Sequence, residues 1–110
     1  MEPKFNLWIE KNGKVVLSQW RVELLEAIAA AGSISAAAEK MNVPYRRAWE
    51  KVHEIEVGLG LKVVDTEVGG KGGGGARLTA AGRHAVEQFH RFSAGFDDEV
   101  ARRYHEAFEL

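Results

Sequence analysis

Gly32-Ser-Ile-Ser-Ala-Ala-Ala-Glu-Lys-Met-Asn-Val-Pro-Tyr-Arg-Arg-Ala-Trp49 reads as two short helices joined by a tight turn. Ser33 offers a capping hydroxyl to the first helix, and Ala36, Ala37 and Ala38 leave room for a neighbouring helix to come close. Met41-Asn42 ends that helix, and Pro44 suits the first turn of the next, which continues through Ala48, Trp49, Val52 and Ile55 toward Gly58. Trp49, Val52 and Ile55 define its apolar side. Tyr45, Arg46, Glu50 and Lys51 then reach outward from the early turns, with Arg47 nearer the edge. Two helices joined in this way pack at a steep angle, so that the second can enter a DNA major groove while the first crosses the backbone. Arginine can bond guanine bidentately or grip phosphates, and tyrosine can donate to a phosphate.

Upstream, Phe5-Asn-Leu-Trp-Ile-Glu10 alternates apolar with polar, Asn12-Gly13 is a strong two-residue turn signal, and Val15-Val16-Leu17 is a β-branched return. Ser18 caps a first helix in which Trp20, Leu24, Leu25 and Ile28 recur at helical spacing until Gly32. Downstream, Leu61 to Thr66 reads as a strand. Val68-Gly-Gly-Lys-Gly-Gly-Gly-Gly75 is a glycine loop, and Ala76-Arg-Leu78 returns to a capping Thr79. Strand, glycine loop and strand make a wing, on which Lys71 and Arg77 are the candidate phosphate contacts. From Ala80, Val86, Phe89, Phe92, Phe96, Val100, Tyr104 and Phe108 recur every three or four residues, as one long helix or two broken near Gly95. The expected class is mainly α with small β: a winged helix-turn-helix over residues 1–82 with an N-terminal hairpin, then a helical dimerisation segment over 83–110.

Composition bounds the alternatives. The chain has 110 residues, 45% of them hydrophobic, which suits one core. It has no cysteine, excluding a disulfide framework, a thiolate zinc site and a catalytic thiol. The first residues lack a basic-then-apolar signal pattern, no apolar run approaches bilayer length, and a soluble cytoplasmic protein is expected. Net charge is −1, but Lys40, Arg46, Arg47 and Lys51 oppose Glu50 alone between residues 40 and 51. The tail from Arg83 carries four arginines against six acids, an unlikely surface for phosphates.

Three segments together resemble the N-terminal domain of ModE-type molybdate-responsive repressors, and more distantly LysR-type regulators: Gly32 to Ala38, Pro44-Tyr-Arg-Arg-Ala-Trp49, and the wing from Gly69 to Thr79. The resemblance runs over about residues 15–92. It implies a winged helix-turn-helix whose third helix reads DNA, a wing on the backbone or minor groove, and flanking helices that form a homodimer. This adds Ser33 and Ser35, at the start of the second helix, to Tyr45, Arg46, Arg47, Glu50, Lys51, Lys71 and Arg77 as candidate DNA contacts. Phe89, Phe92, Phe96, Val100, Tyr104 and Phe108 are the candidate dimer interface. Pro44 stands where the family usually has serine. The molybdate-binding domains that follow the DNA-binding domain in full-length repressors have no counterpart here, so molybdate binding by this chain is not expected.

Other readings compete. A charge cluster alone is commonly a solvated helix face, and the Phe89 to Phe108 stripe could dock a protein partner on a winged helix that never touches DNA. Gly70-x-Gly72-x-x-Gly75 formally matches a dinucleotide pattern, but a glycine run matches many, and no helix starts directly after it. His53, His84, His90 and His105 form no recognised ligand pair, and no base motif accompanies Ser33 or Ser35. The expectation is a homodimeric double-stranded DNA-binding regulator, a repressor, without cofactor, metal or catalytic chemistry.

Overall fold

The computed structural model describes residues 1–67 and 74–108. In chain order the elements are β1 (Trp8–Lys11), β2 (Lys14–Ser18), α1 (Gln19–Ala31), α2 (Ile34–Lys40), α3 (Tyr45–Leu59), β3 (Val64–Thr66), β4 (Ala76–Leu78), α4 (Ala80–Ser93) and α5 (Phe96–Phe108). The two sheets are separate antiparallel pairs, β1 with β2 and β3 with β4. This is the expected winged helix-turn-helix with an N-terminal hairpin.

The hairpin turns on Asn12 and Gly13, both left-handed (φ 53° and 78°), the conformation a two-residue turn needs to match strand twist. Its register runs from Trp8 opposite Ser18 to Lys11 opposite Lys14, with an irregularity between Ile9 and Glu10. Ser18, Ser33 and Thr79 cap α1, α2 and α4, their hydroxyls accepting from the backbone N–H of Arg21, Ala36 and Gly82. Gly32 ends α1 in the left-handed region and returns its N–H to Ile28 at 2.8 Å. Pro44 stands just ahead of α3 rather than inside it.

The core gathers Val22, Leu24, Leu25 and Ile28 of α1, Ala37 and Ala38 of α2, Ala48, Val52 and Ile55 of α3, Val63 just ahead of β3, and Val64 and Leu78 of the wing strands. The alanines admit close helix contacts in the turn region. Arg21 is the one charged residue buried among the described residues. Its guanidinium donates to the Val15 carbonyl at 3.0 Å and to the Glu54 carboxylate at 2.7 Å, tying α1, β2 and α3 together.

Several boundaries differ from expectation. Helix α3 runs through Gly58 and stops at Gly60, which is left-handed and donates its N–H to Glu56. Gly58 is needed for a different reason: a Cβ there would lie 2.7 Å from a Val16 methyl, so its absence lets the hairpin lie on the helix. The first wing strand is only Val64–Thr66. The tail takes the second of the two forms expected, two helices broken at Ala94-Gly95 with Gly95 at φ 82°. The expected boundary between residues 82 and 83 falls inside α4, whose Ala85 and Phe89 are core residues.

Helix α4 starts in a narrow seat. Thr79 donates its N–H to the Val63 carbonyl at 3.0 Å and its hydroxyl to the Lys62 carbonyl at 2.6 Å. A Cβ on Gly82 would stand 2.2 Å from the Val63 carbonyl oxygen, a clash with backbone that no rotamer can relieve. Gly82→Ala should therefore cost about 1–3 kcal/mol, the usual scale of overpacking, read as a lower urea midpoint; an unchanged midpoint would mean that the helix can slide.

A second expectation concerns Glu54. Burial works to raise its carboxyl, but the Arg21 hydrogen bond and the Lys51 and Arg21 charges outweigh burial and hold it below its ordinary 4.5. A depressed carboxyl contributes stability that is complete above its unfolded value and lost as pH falls through the folded one. The stability gap between the wild type and Glu54→Gln should be constant near neutral pH and close as pH drops below the ordinary 4.5. A gap unchanged down to about pH 3, read by urea titration, would show that the carboxylate's charge is not what Arg21 uses.

Candidate nucleic-acid interface

Helix α3 buries side chains along one seam only. Ala48, Val52 and Ile55, spaced by four and three, are its buried residues. The rest of its early circumference is open, and the candidate contacts distribute around it unequally. Arg46 has 89% of its side chain exposed; its guanidinium meets Glu50 at 3.2 Å, one turn on. Such an exposed pair is worth a few tenths of a kcal/mol, roughly, so little holds Arg46 back from a phosphate or a base. Arg47 and Tyr45 are exposed as well. Lys51 differs: it is half-buried and turned toward the hairpin side, where its ammonium meets Glu54 at 3.4 Å.

The start of α2 and the wing flank this helix. Ser33 is half-buried and its hydroxyl accepts from Ala36 at 3.0 Å, so its oxygen serves the cap. Ser35 is exposed and shares a cleft of about 500 Å³ with Tyr45, Trp49 and Thr66. Arg77 is exposed on β4, opposite Asp65 of β3. Lys71 lies outside the described residues. The wing strands are anchored where α1 ends, Ala76 donating its N–H to the Gly32 carbonyl at 2.8 Å. Ser35, Tyr45 and the base of the wing thus come together on one side of the molecule.

Trp49 departs from expectation. It does not share the buried seam with Val52 and Ile55: it is 49% exposed. Ala48 takes the seam position, and the next residue is carried about 100° around the helix, toward the wing. The indole lies flat against the His53 imidazole, ring centres 5.5 Å apart and planes 5° from parallel. The signal for this surface was an alanine on the seam followed by an aromatic, with a histidine one turn later.

The candidate dimer residues also divide. Phe89 is 1% exposed and belongs to the core of its own domain, beside Val16 and Leu17 of the hairpin and Leu59 of α3; it is not free to pair with a partner. Phe92 is half-exposed, with Phe96 edge-on at 5.5 Å. Tyr104 and Phe108 stack at 5.2 Å. Helix α5, which carries Phe96, Val100, Tyr104 and Phe108, has no buried residue. Among the described residues no group of three His, Asp or Glu could hold a metal ion. His90 meets Glu26 at 3.3 Å, bridging α4 to α1. No helix among the described residues is long and apolar enough to cross a membrane.

Comparison with known proteins follows the same outline. The molybdenum-pterin-binding protein MopB of Rhodobacter capsulatus is 44% identical over 75 residues, 68% of this chain and 28% of its own length. The dual regulator ModE of Escherichia coli K12 is 33% identical over 89 residues, 81% of this chain and 34% of its own. The chain thus spans about a third of the length of these relatives. Among solved structures, the DNA-binding domain of CbnR in a complex with DNA superposes with a TM-score of 0.58 at 26% identity, covering 76% of this chain and 93% of that one. The family model of bacterial regulatory helix-turn-helix proteins, LysR family, matches residues 20–83, a span that holds α1 to the start of α4. By that match the chain belongs to the LysR-type bacterial regulatory helix-turn-helix family, a family of regulators rather than enzymes.

Proposed function

We propose that this chain is the DNA-binding part of a ModE-like transcriptional regulator that binds double-stranded DNA as a homodimer and acts as a repressor. The observation that carries the DNA reading is the open N-terminal half of α3. A helix whose buried residues are Ala48, Val52 and Ile55, with Tyr45, Arg46 and Arg47 exposed at its N-terminal end, has the form of a helix that enters a major groove. Arg46 and Arg47 supply base or phosphate contacts, Tyr45 and Ser35 phosphate contacts, and Arg77, with Lys71, a grip from the wing. Glu50 holds Arg46 in free protein and exchanges that bond for nucleic acid.

Double replacement Arg46→Ala/Arg47→Ala should leave the thermal midpoint within a degree or two, both residues being exposed, while operator affinity falls. The expected loss is about 1–3 kcal/mol per direct contact, with a flatter dependence of log K on log salt. Unchanged affinity for a selected operator would remove α3 from the contact surface. Salt dependence also separates this reading from a protein-docking winged helix, since an apolar stripe releases no counterions.

Dimerisation is supported by α5. Helices as short as 13 residues are marginal in water without packing. Its apolar residues Phe96, Val100, Tyr104 and Phe108 recur at every fourth position with Phe92 at their base, and the whole chain is 61 Å long against 28 and 22 Å across. A two-fold contact buries such a stripe on both copies at once and spaces two reading helices roughly 34–36 Å apart, one turn of DNA. Sedimentation at micromolar concentration should give a dimer, and Phe96→Asp a folded monomer that binds operator much more weakly. A wild-type monomer that bound operator tightly would overturn the assembly.

A further inference from the structure

Trp49 is a half-exposed aromatic set among Tyr45, Arg46, Ser35 and Glu50 on the open part of α3 and its neighbours. Half of it is exposed, and its position is imposed: His53 lies parallel to the indole one turn along, and Ile34 and Thr66 share the adjoining clefts with it. Stacking on a neighbour of the same helix removes rotamer freedom before any ligand arrives, so little further order is lost on contact. Arg46 and Glu50 stand beside it, and Tyr45 one turn before it. An indole has one donor and no acceptor, and its broad surface is apolar. In the duplex major groove, the apolar feature that distinguishes one base from the others is the thymine 5-methyl group.

We propose that Trp49 is a specificity-determining residue that recognises thymine by apolar contact with its 5-methyl group, the His53 ring holding the indole in place. The inference rests on the DNA reading above and adds to it a base that α3 selects without a hydrogen bond. His53 is a positioning residue here. Arg46 and Arg47 supply affinity along the backbone or at guanine, and Trp49 supplies a preference that is independent of salt.

The test uses the full chain and an operator selected from random duplexes. Each thymine is replaced in turn by deoxyuridine, which keeps every hydrogen-bonding group and lacks only the methyl. Wild-type protein should lose roughly fourfold in affinity at one thymine per half-site, the worth of one buried methyl. Trp49→Ala should bind thymine and deoxyuridine equally at that position and discriminate normally elsewhere, and His53→Ala should reduce the same discrimination in part. Wild-type protein crosslinked through 5-iodouracil at that position should yield an adduct on Trp49, a readout that needs no variant to fold. Discrimination that persists in Trp49→Ala, or crosslinks confined to other residues, overturns the role of Trp49 while leaving DNA binding intact. Failure of wild-type protein to select any duplex overturns the DNA reading itself, and the inference with it.

Discussion

Two carboxylates near the C-terminal end of α3 hold the helix to the rest of the fold. Glu54 points to the hairpin side and takes the Arg21 guanidinium at 2.7 Å. Glu56 points to the wing side and accepts the backbone N–H groups of Val63 at 2.8 Å and Val64 at 3.3 Å. Between them they fix the helix in rotation as well as position, because the apolar seam of Ala48, Val52 and Ile55 alone would tolerate some roll. Charge-assisted bonds are the stronger class, and Arg21 is buried, so losing Glu54 would leave a guanidinium short of a partner out of water. The N-terminal half of α3 is left out of both clamps. Its freedom from intramolecular work is what makes its side chains available to a ligand.

The wing depends on the same end of the helix. Once Glu56 has caught the amides of Val63 and Val64, the chain is delivered to β3, and Thr79 returns to the Lys62 and Val63 carbonyls at the end of β4. Ala76 is bonded to Gly32, the residue that ends α1 and precedes the α2 cap. The turn between α1 and α2, the root of the wing and α3 therefore share a short path of hydrogen bonds. A change in the tilt of α3 would pull on the wing through Glu56, and a change at the wing would reach the start of α2 through Gly32.

The sequence made some of this legible and hid the rest for identifiable reasons. Local chemistry is written in few residues, so Asn12-Gly13, the caps Ser18, Ser33 and Thr79, and the stop at Gly32 could be placed before any tertiary contact was known. The choice between Gly58 and Gly60 as the end of α3 could not. Both are glycines, but one accommodates the Val16 side chain and the other takes a left-handed turn, and only the path of the hairpin distinguishes them. Glu54 and Glu56 look in sequence like a solvated helix face, since their partners lie 33 residues away and in a backbone. Trp49 reads as core in the sequence because its hydrophobicity outweighs its angle. Of the candidate contacts, Arg46, Arg47, Tyr45 and Ser35 lie exposed as expected, whereas Lys51 and Ser33 are engaged within the fold.

Phe89 and Phe92 differ by less than one turn, yet one is core and the other half-exposed, so the periodicity that unites the tail conceals where the domain ends. Beyond that point α5 is stabilised by its own charges. Asp97, Asp98 and Glu99 occupy the first turn, where the helix dipole favours acids. Glu99 accepts hydrogen bonds from Arg102 and Arg103, which hold its carboxyl down to about 2, and Arg102 also reaches Glu106 at 2.6 Å. Arg102 and Glu106 lie opposite the stripe of Val100, Tyr104 and Phe108, with Glu99 and Arg103 along its edge. Because Glu99 is held well below the usual carboxylate range, it keeps its bonds to Arg102 and Arg103 into mildly acid solution. The network makes one side of α5 content in water and does nothing for the other. A helix so divided has a reason to keep its shape, and an apolar side that no other described residue covers.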